Sequence, residues 1–320
     1  MINKDYLYSN TYHSTDSVCI EDNSVYFYKH SIEDRSFSVD ALKKRFSGNT
    51  IFVGIENAQN CNDCILDSAD NMEYHLRSSV QIKALLTKHQ ASVAYIDVSG
   101  LNIRACASIV KNILSLDPAY FKKIFIVYTE PEYYNVEEFK TRGVYFDLSE
   151  EIEGISPLPG FERIIPDEDK EVFLVPLLGF EGGRFAHILE NIPPLGENIF
   201  PVVGLAGFRP EYPFVTYWGN HRPLINSCAW EHVMFATANS MIDAFTVLDK
   251  IVQKHPTGMF KIAPIGTKPH TLAAILFAIC HPNNVELIYD NPIRKKKRTS
   301  GVGKIVISSI LELVSDANAH

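Results

Sequence analysis

Near the C-terminal end of the chain, Gly266-Thr-Lys-Pro-His270 brings together residue types suited to holding an anion. Gly266 allows a close backbone approach. Thr267 is a candidate helix cap, and Pro269 suits a first helical turn, where its missing N–H has no partner to lose. A helix that starts here turns backbone N–H groups toward a ligand, and Lys268 adds a cation. A second turn, Gly179-Phe-Glu-Gly-Gly-Arg184, contributes Gly182, Gly183 and Arg184 but lacks the G-x-G-x-x-G spacing of a dinucleotide site. Arg209, Asn220 and Arg294 complete the expected ligand-binding set. His270 and Glu181 are the acid/base candidates if the site is catalytic, and His221 is a further histidine at a turn.

Other chemistry has less behind it. Cys61-Asn-Asp-Cys64 has the spacing of half a zinc site, yet no second Cys-x-x-Cys and no His pair follows at suitable spacing. The expectation is therefore free thiols, no metal and no cofactor. Arg298-Thr-Ser-Gly-Val-Gly-Lys304 has Arg298 where a P-loop needs its first glycine and Ile305 where it needs Ser or Thr. Arg294-Lys-Lys-Lys-Arg298 reads as a solvated basic loop, with contact to nucleic acid or a polyanionic ligand as the alternative. Tyr212, Tyr217 and Trp218, flanked by Arg209 and Arg222, are aromatic candidates for stacking on a base or for core packing.

These residues need a scaffold, and the buried runs supply one. Thr50–Ile55, Val93–Val98 and Lys123–Tyr128 read as strands, with helices at about Met72–His89 and Leu101–Leu114 between them. After an irregular stretch from Val136 to Asp169, a second series follows: strands at Glu171–Leu178, Ile199–Val203 and Phe260–Ile265, and helices at Phe185–Asn191, Trp230–Asn239 and Met241–Gln253. The reading is an α/β protein of two Rossmann-like halves, 1–165 and 166–320, with mainly parallel sheets. Val285–Tyr289 and Ile305–Ile310 would form an antiparallel pair at the C-terminal end. In such sheets ligands sit beyond the carboxyl ends of the strands. That rule gathers Asp97, Ser99, Gly100, Thr129, Glu130 and Glu132 on one rim. On the other it gathers the two glycine turns with Gly207, Arg209, Glu211, Asp290, Asn291 and Arg294.

At 320 residues, 46% hydrophobic and 21% charged, the chain has the composition of a well-packed globule. Its formal charge of −8 argues against broad non-specific binding to nucleic acid. No apolar run approaches the roughly 20 residues needed to span a bilayer. Met1-Ile-Asn-Lys-Asp-Tyr6 has no basic segment followed by an apolar core. The expected location is the cytoplasm, away from membranes.

Around Gly266-Thr267-Lys268, with its flanking strand and helix, the chain resembles the CRISPR-associated Rossmann fold (CARF) family of nucleotide-sensing domains. The likeness covers about 60 residues from Lys261 onward, the span of one βαβ unit. It departs at Ile265, where a second glycine is usual, and at Pro269, where an aliphatic residue or Met is usual. The resemblance implies contact of this turn with a cyclic oligoadenylate, homodimerisation and a role in antiviral defence. The leading expectation is a module that binds a nucleotide or another phosphorylated ligand and signals to a protein partner. A nucleotide-directed hydrolase or transferase and a structural subunit of a multiprotein assembly are the alternatives.

Overall fold

The structure is a computed structural model that describes residues 8–59, 61–135, 148–162, 170–192, 196–205 and 209–317. Its first elements are β1 (Ser9–Tyr12), β2 (Ser24–Tyr28), α1 (Ser38–Phe46), β3 (Thr50–Asn57), β4 (Cys64–Asp67) and β5 (Glu73–His75). They are followed by α2 (Ser79–Thr87), β6 (Val93–Asp97), α3 (Ile103–Leu114), β7 (Lys123–Thr129) and β8 (Tyr133–Tyr134). The middle of the chain forms β9 (Ser149–Ile152), β10 (Ser156–Pro157), β11 (Val172–Leu178), α4 (Gly182–Asn191), β12 (Val202–Leu205), α5 (Tyr212–Asn226) and β13 (Met234–Thr237). Next come α6 (Met241–Lys254), β14 (Met259–Pro264), α7 (Lys268–Cys280), β15 (Val285–Tyr289) and β16 (Pro292–Arg294). β17 (Thr299–Ser300), β18 (Ile305–Ser309) and α8 (Leu311–Ala317) close the chain.

The chain divides into two compact units, Met1–Asn135 with Lys296–His320, and Val136–Lys295. This corrects the simple halving of the sequence, because the last 25 residues return to the first unit. The expected boundary at 165/166 falls within 163–169, outside the described residues. Both units are α/β; the second unit's sheet is mainly parallel, and the first unit's has a parallel centre with antiparallel edges.

The first unit has an eight-stranded sheet in the order β1-β18-β7-β6-β2-β3-β4-β5. Its parallel centre is β7-β6-β2-β3. β18 pairs antiparallel with β7 and with β1, so the antiparallel pairing at the C-terminal end is present but its partner is not β15. Val25-Tyr-Phe-Tyr28 is a central strand, fully buried, with Tyr26, Tyr28, Tyr95 and Val127 packed against Val39 and Leu42 of α1. The helix expected from Met72 is shorter: Met72 and Leu76 belong to the β4–β5 hairpin region, and α2 begins at Ser79, capped by Ser78.

The second unit has the order β10-β15-β14-β11-β12-β13, with the five strands from β15 to β13 parallel. Numbered along this unit, that is the doubly wound order 3-2-1-4-5, which reverses between β11 and β14. Phe185 and Ile188 of α4 and Leu224 of α5 pack on Leu174, Val203, Ala263 and Ile288 of the sheet. Each such buried side chain contributes about 1.5–3 kcal/mol. α7 is apolar around its whole circumference and is buried from Pro269 to Ala278, packed against α6. One expectation fails here, and one segment to which the sequence assigns no element proves helical. Trp230–Asn239 is a 3₁₀ turn followed by β13, and the aromatic segment from Tyr212 is the 15-residue helix α5.

Candidate functional site

The switch point between β11 and β14 brings the two predicted glycine turns together. A Cβ on Gly179 would lie 2.8 Å from the Ile265 carbonyl oxygen, and one on Gly266 would lie 2.6 Å from the Leu178 oxygen. Backbone meets backbone here, which only glycine allows. Gly182 is packed just as closely: its Cβ would meet the Gly219 oxygen at 1.9 Å, so it serves the α4–α5 crossing. Gly183 is the exception, with open space around the position of a Cβ.

Arg184 lies inside the protein, 2% exposed. Its Nε and one terminal nitrogen bond the two Asp290 oxygens at 2.7 and 2.6 Å, and the other terminal nitrogen bonds the Ile265 carbonyl at 2.9 Å. The guanidinium holds the Asp290 carboxyl below the usual carboxylate range, against a burial that alone would raise it. Glu181 accepts from Arg294 at 2.8 Å and lies 3.8 Å from Arg184. The expectation that Arg184 and Arg294 meet phosphate is corrected for the protein as folded, since both are committed to buried carboxylates. Glu181, expected as an acid or base, is likewise an ion-pair partner.

His270 is fully enclosed. Its Nε2 faces the Thr237 carbonyl at 3.0 Å, and Nδ1 has no hydrogen-bond partner. A carbonyl only accepts, so the proton sits on Nε2. Burial pushes the ring below the ordinary imidazole range. The expected acid/base role is corrected: no solute reaches this ring, and its bond to the end of β13 fastens α7. Thr267 caps α7 by accepting from the His270 N–H at 3.3 Å, as its position predicts, and donates to the Ala238 carbonyl at 2.8 Å. Asn220 is also fully buried and donates to the Gly179 carbonyl at 2.7 Å, bracing the turn instead of facing a ligand.

The remaining expected residues lie nearer the surface. Lys268 is half-buried at the first position of α7, beside half-buried Gly266 and Thr267. Arg209 pairs with Glu211 at 3.6 Å. Gly207 falls within 206–208, outside the described residues. His221 Nδ1 lies 2.8 Å from the Trp218 carbonyl within α5. Trp218 and Phe214 are exposed on that helix, whereas Tyr217 packs against the core. The basic loop is anchored at both ends, because Arg298 pairs with Glu33 in the first unit as Arg294 does with Glu181 in the second.

The first unit has a comparable cluster at its own strand ends. Arg35, 2% exposed, bonds Glu33 at 2.7 Å, the Tyr128 hydroxyl at 2.9 Å and the Thr129 carbonyl at 3.4 Å. A Cβ on Gly100 would lie 1.7 Å from the Lys29 carbonyl oxygen, so the turns after β2 and β6 are pressed together at this unit's switch point. Asp97 accepts from the Tyr26 hydroxyl at 3.0 Å, and Ser99 from the Thr129 N–H at 2.9 Å. Sequence reasoning missed Glu33 and Arg35. Their only signal was two opposite charges two residues apart after a buried strand.

The cysteines are free, and the fold adds a neighbour to the Cys61–Cys64 pair that their spacing does not reveal. Cys61, Cys64 and His75 present ligand atoms all within 4.8 Å of one another.

No helix among the described residues is long and apolar enough to cross a membrane. No family model matches the chain, and no curated protein matches it. Among solved structures, the chain is similar to a GDP-L-fucose synthetase from Naegleria fowleri bound to NADP, with 11% identity, a TM-score of 0.23, and coverage of 89% of this chain and 86% of the other. A second structure of a GDP-L-fucose synthetase from that organism matches at 10% identity and a TM-score of 0.22, over 89% of this chain and 87% of the other. Likeness this slight carries no argument about function, and the two Rossmann-like sheets stand on their own topology.

Proposed function

We propose that the second unit is a binding module for a nucleotide or another phosphorylated ligand, received at the turn from Gly266 to Lys268. One observation carries this reading: the strand order reverses between β11 and β14, and the turns that follow those two strands are the two glycine turns. Doubly wound sheets bind ligands at that point. The anion would meet the N-terminal end of the 13-residue helix α7, the half-buried Lys268 and the open backbone at Gly183. Arg184, Asn220 and Thr267 hold the rim in shape and do not touch the ligand. The CARF resemblance makes a cyclic oligoadenylate the first compound to try, and signalling to a protein partner in antiviral defence, through a homodimer, the corresponding role.

The structural-subunit reading has one specific observation in its favour, the backbone-to-backbone packing of Gly179 and Gly266. The enzyme reading has lost both of its named acid/base groups to burial and ion pairing. One experiment separates the three: thermal shift and product formation with mononucleotides, dinucleotides and cyclic oligoadenylates. Stabilisation without turnover is expected, because a ligand that binds only the native state raises its apparent stability. Turnover would favour the enzyme, and no response to any compound would favour the structural subunit.

A further inference from the structure

The hairpin of β4 and β5 assembles a group that the spacing of the cysteines alone conceals. Cys64 opens β4 and sits opposite His75, the last residue of β5, in the antiparallel register. The Cys64 N–H donates to the Cys61 carbonyl at 3.2 Å, which turns Cys61 back toward the strand. The two Sγ atoms are 2.7 Å apart, and a His75 ring nitrogen completes the cluster. Glu73 lies two residues before His75, on the same side of β5.

The turn between the cysteines is braced from outside. Asp63 accepts from Arg77 Nε and from Arg104 Nε, both at 2.8 Å, and its carbonyl accepts from the Leu76 N–H at 2.7 Å. Arg104 belongs to α3, so the turn is tied to the body of the first unit. The ligand atoms are therefore held near one another before any ion arrives.

We propose that Cys61, Cys64 and His75 bind a divalent transition metal of the zinc class, with Glu73 or water as the fourth ligand. Two thiolates and an imidazole select zinc over magnesium or calcium, which take oxygen ligands. His75 Nδ1 accepts from the Arg77 N–H at 3.2 Å, so its lone pair is at that nitrogen, and the metal takes the place of this donor. Sulfurs bonded to zinc at about 2.3 Å in a tetrahedron stand about 3.8 Å apart, so the cysteine pair opens by about 1 Å on binding. Binding releases the two thiol protons to solvent and leaves a neutral Zn(Cys)₂(His) centre before any contribution from Glu73. The metal would clamp the turn and both strands of the hairpin at the edge of the first unit's sheet.

The test is Co²⁺ titration of the full chain after reduction and removal of metal. One equivalent should give a near-ultraviolet thiolate-to-cobalt charge-transfer band that equimolar Zn²⁺ bleaches. Cys64→Ser and Cys61→Ser should abolish the band, and His75→Gln should weaken binding at least about tenfold. Cys106→Ser, at a buried cysteine outside the cluster, should leave it unchanged. Cys61→Ser changes a half-buried position, so its circular dichroism should match the wild type even if Cys64→Ser misfolds. Absence of the band in the reduced, folded wild type would overturn the proposal. So would a band that survives Cys61→Ser, or a Cys61–Cys64 disulfide whose reduced form binds neither Co²⁺ nor Zn²⁺.

Discussion

The two units solve the same problem with different charge arithmetic. Each has a doubly wound switch point where one turn is pressed onto another through a glycine, Gly100 in the first unit and Gly179 with Gly266 in the second. Each fastens its strand ends with a buried arginine that reaches a carboxylate and a main-chain carbonyl, Arg35 to Glu33 and Thr129, and Arg184 to Asp290 and Ile265. In the first unit one carboxylate, Glu33, serves two arginines, Arg35 and Arg298. In the second, Arg184 and Arg294 face Glu181 and Asp290. The second rim is thus internally neutral among these four groups. Arginines near a strand end are not evidence of phosphate binding until their carboxylates have been accounted for.

The comparison can be broken most forcefully at the arginines. Arg184→Ala leaves Asp290 buried with its bidentate partner gone, and denaturant unfolding should show a loss of about 3–5 kcal/mol. Arg35→Ala leaves Glu33 its bond to Arg298, so the loss should be smaller, about 1.5–3 kcal/mol. Equal losses would mean that the difference in charge arithmetic has no energetic meaning.

The glycines come next. Gly100→Ala and Gly266→Ala both drive a methyl into a carbonyl oxygen and should each cost about 1–3 kcal/mol, with Gly100→Ala the worse because its contact is the closer. Gly183→Ala has open space on a helix and should stabilise by about 0.5–1 kcal/mol. If that variant also weakens ligand binding, the open face of α4 belongs to the site.

A smaller effect concerns pH. The His270 ring binds its proton at lower pH in the folded protein than in the unfolded chain. The stability it contributes as a neutral ring is intact above the unfolded value of about 6.5 and is lost as pH falls through the interval below it. His270→Gln should flatten the stability profile there, whatever it costs at neutral pH. An unchanged slope would contradict the buried neutral state.

What could be read from the sequence divides along the same lines. β6, β7, β11 and β14 appeared as continuous buried runs, and α3, α6 and α7 as apolar faces at helical spacing. The capping role of Thr267 was legible because a cap is a local event. The return of β18 to β7 was not, since nothing in Ile305–Ser309 names a partner about 180 residues away. α5 was hidden by Pro213, Gly219 and Pro223, although Gly219 is there for the close crossing with Gly182. The roles of Arg184 and His270 were misread for one reason: turn position suggests exposure, yet Arg184 is buried against Asp290 and Ile265 and His270 against the end of β13. The Cys61–Cys64–His75 cluster escaped because a cross-strand register, not a spacing rule, brings His75 alongside.

The most direct test of the ligand site is equilibrium binding of cyclic tetra-adenylate and of inorganic triphosphate to the wild type, Lys268→Ala and Arg184→Lys. The account predicts that at least one of the two probes binds the wild type. It predicts that Lys268→Ala weakens this binding about 10- to 100-fold, the loss of one charge-assisted hydrogen bond. Arg184→Lys, to the extent that it folds, should bind nearly as the wild type does. Undiminished affinity in Lys268→Ala would contradict the account, as would a folded Arg184→Lys protein that has lost binding altogether.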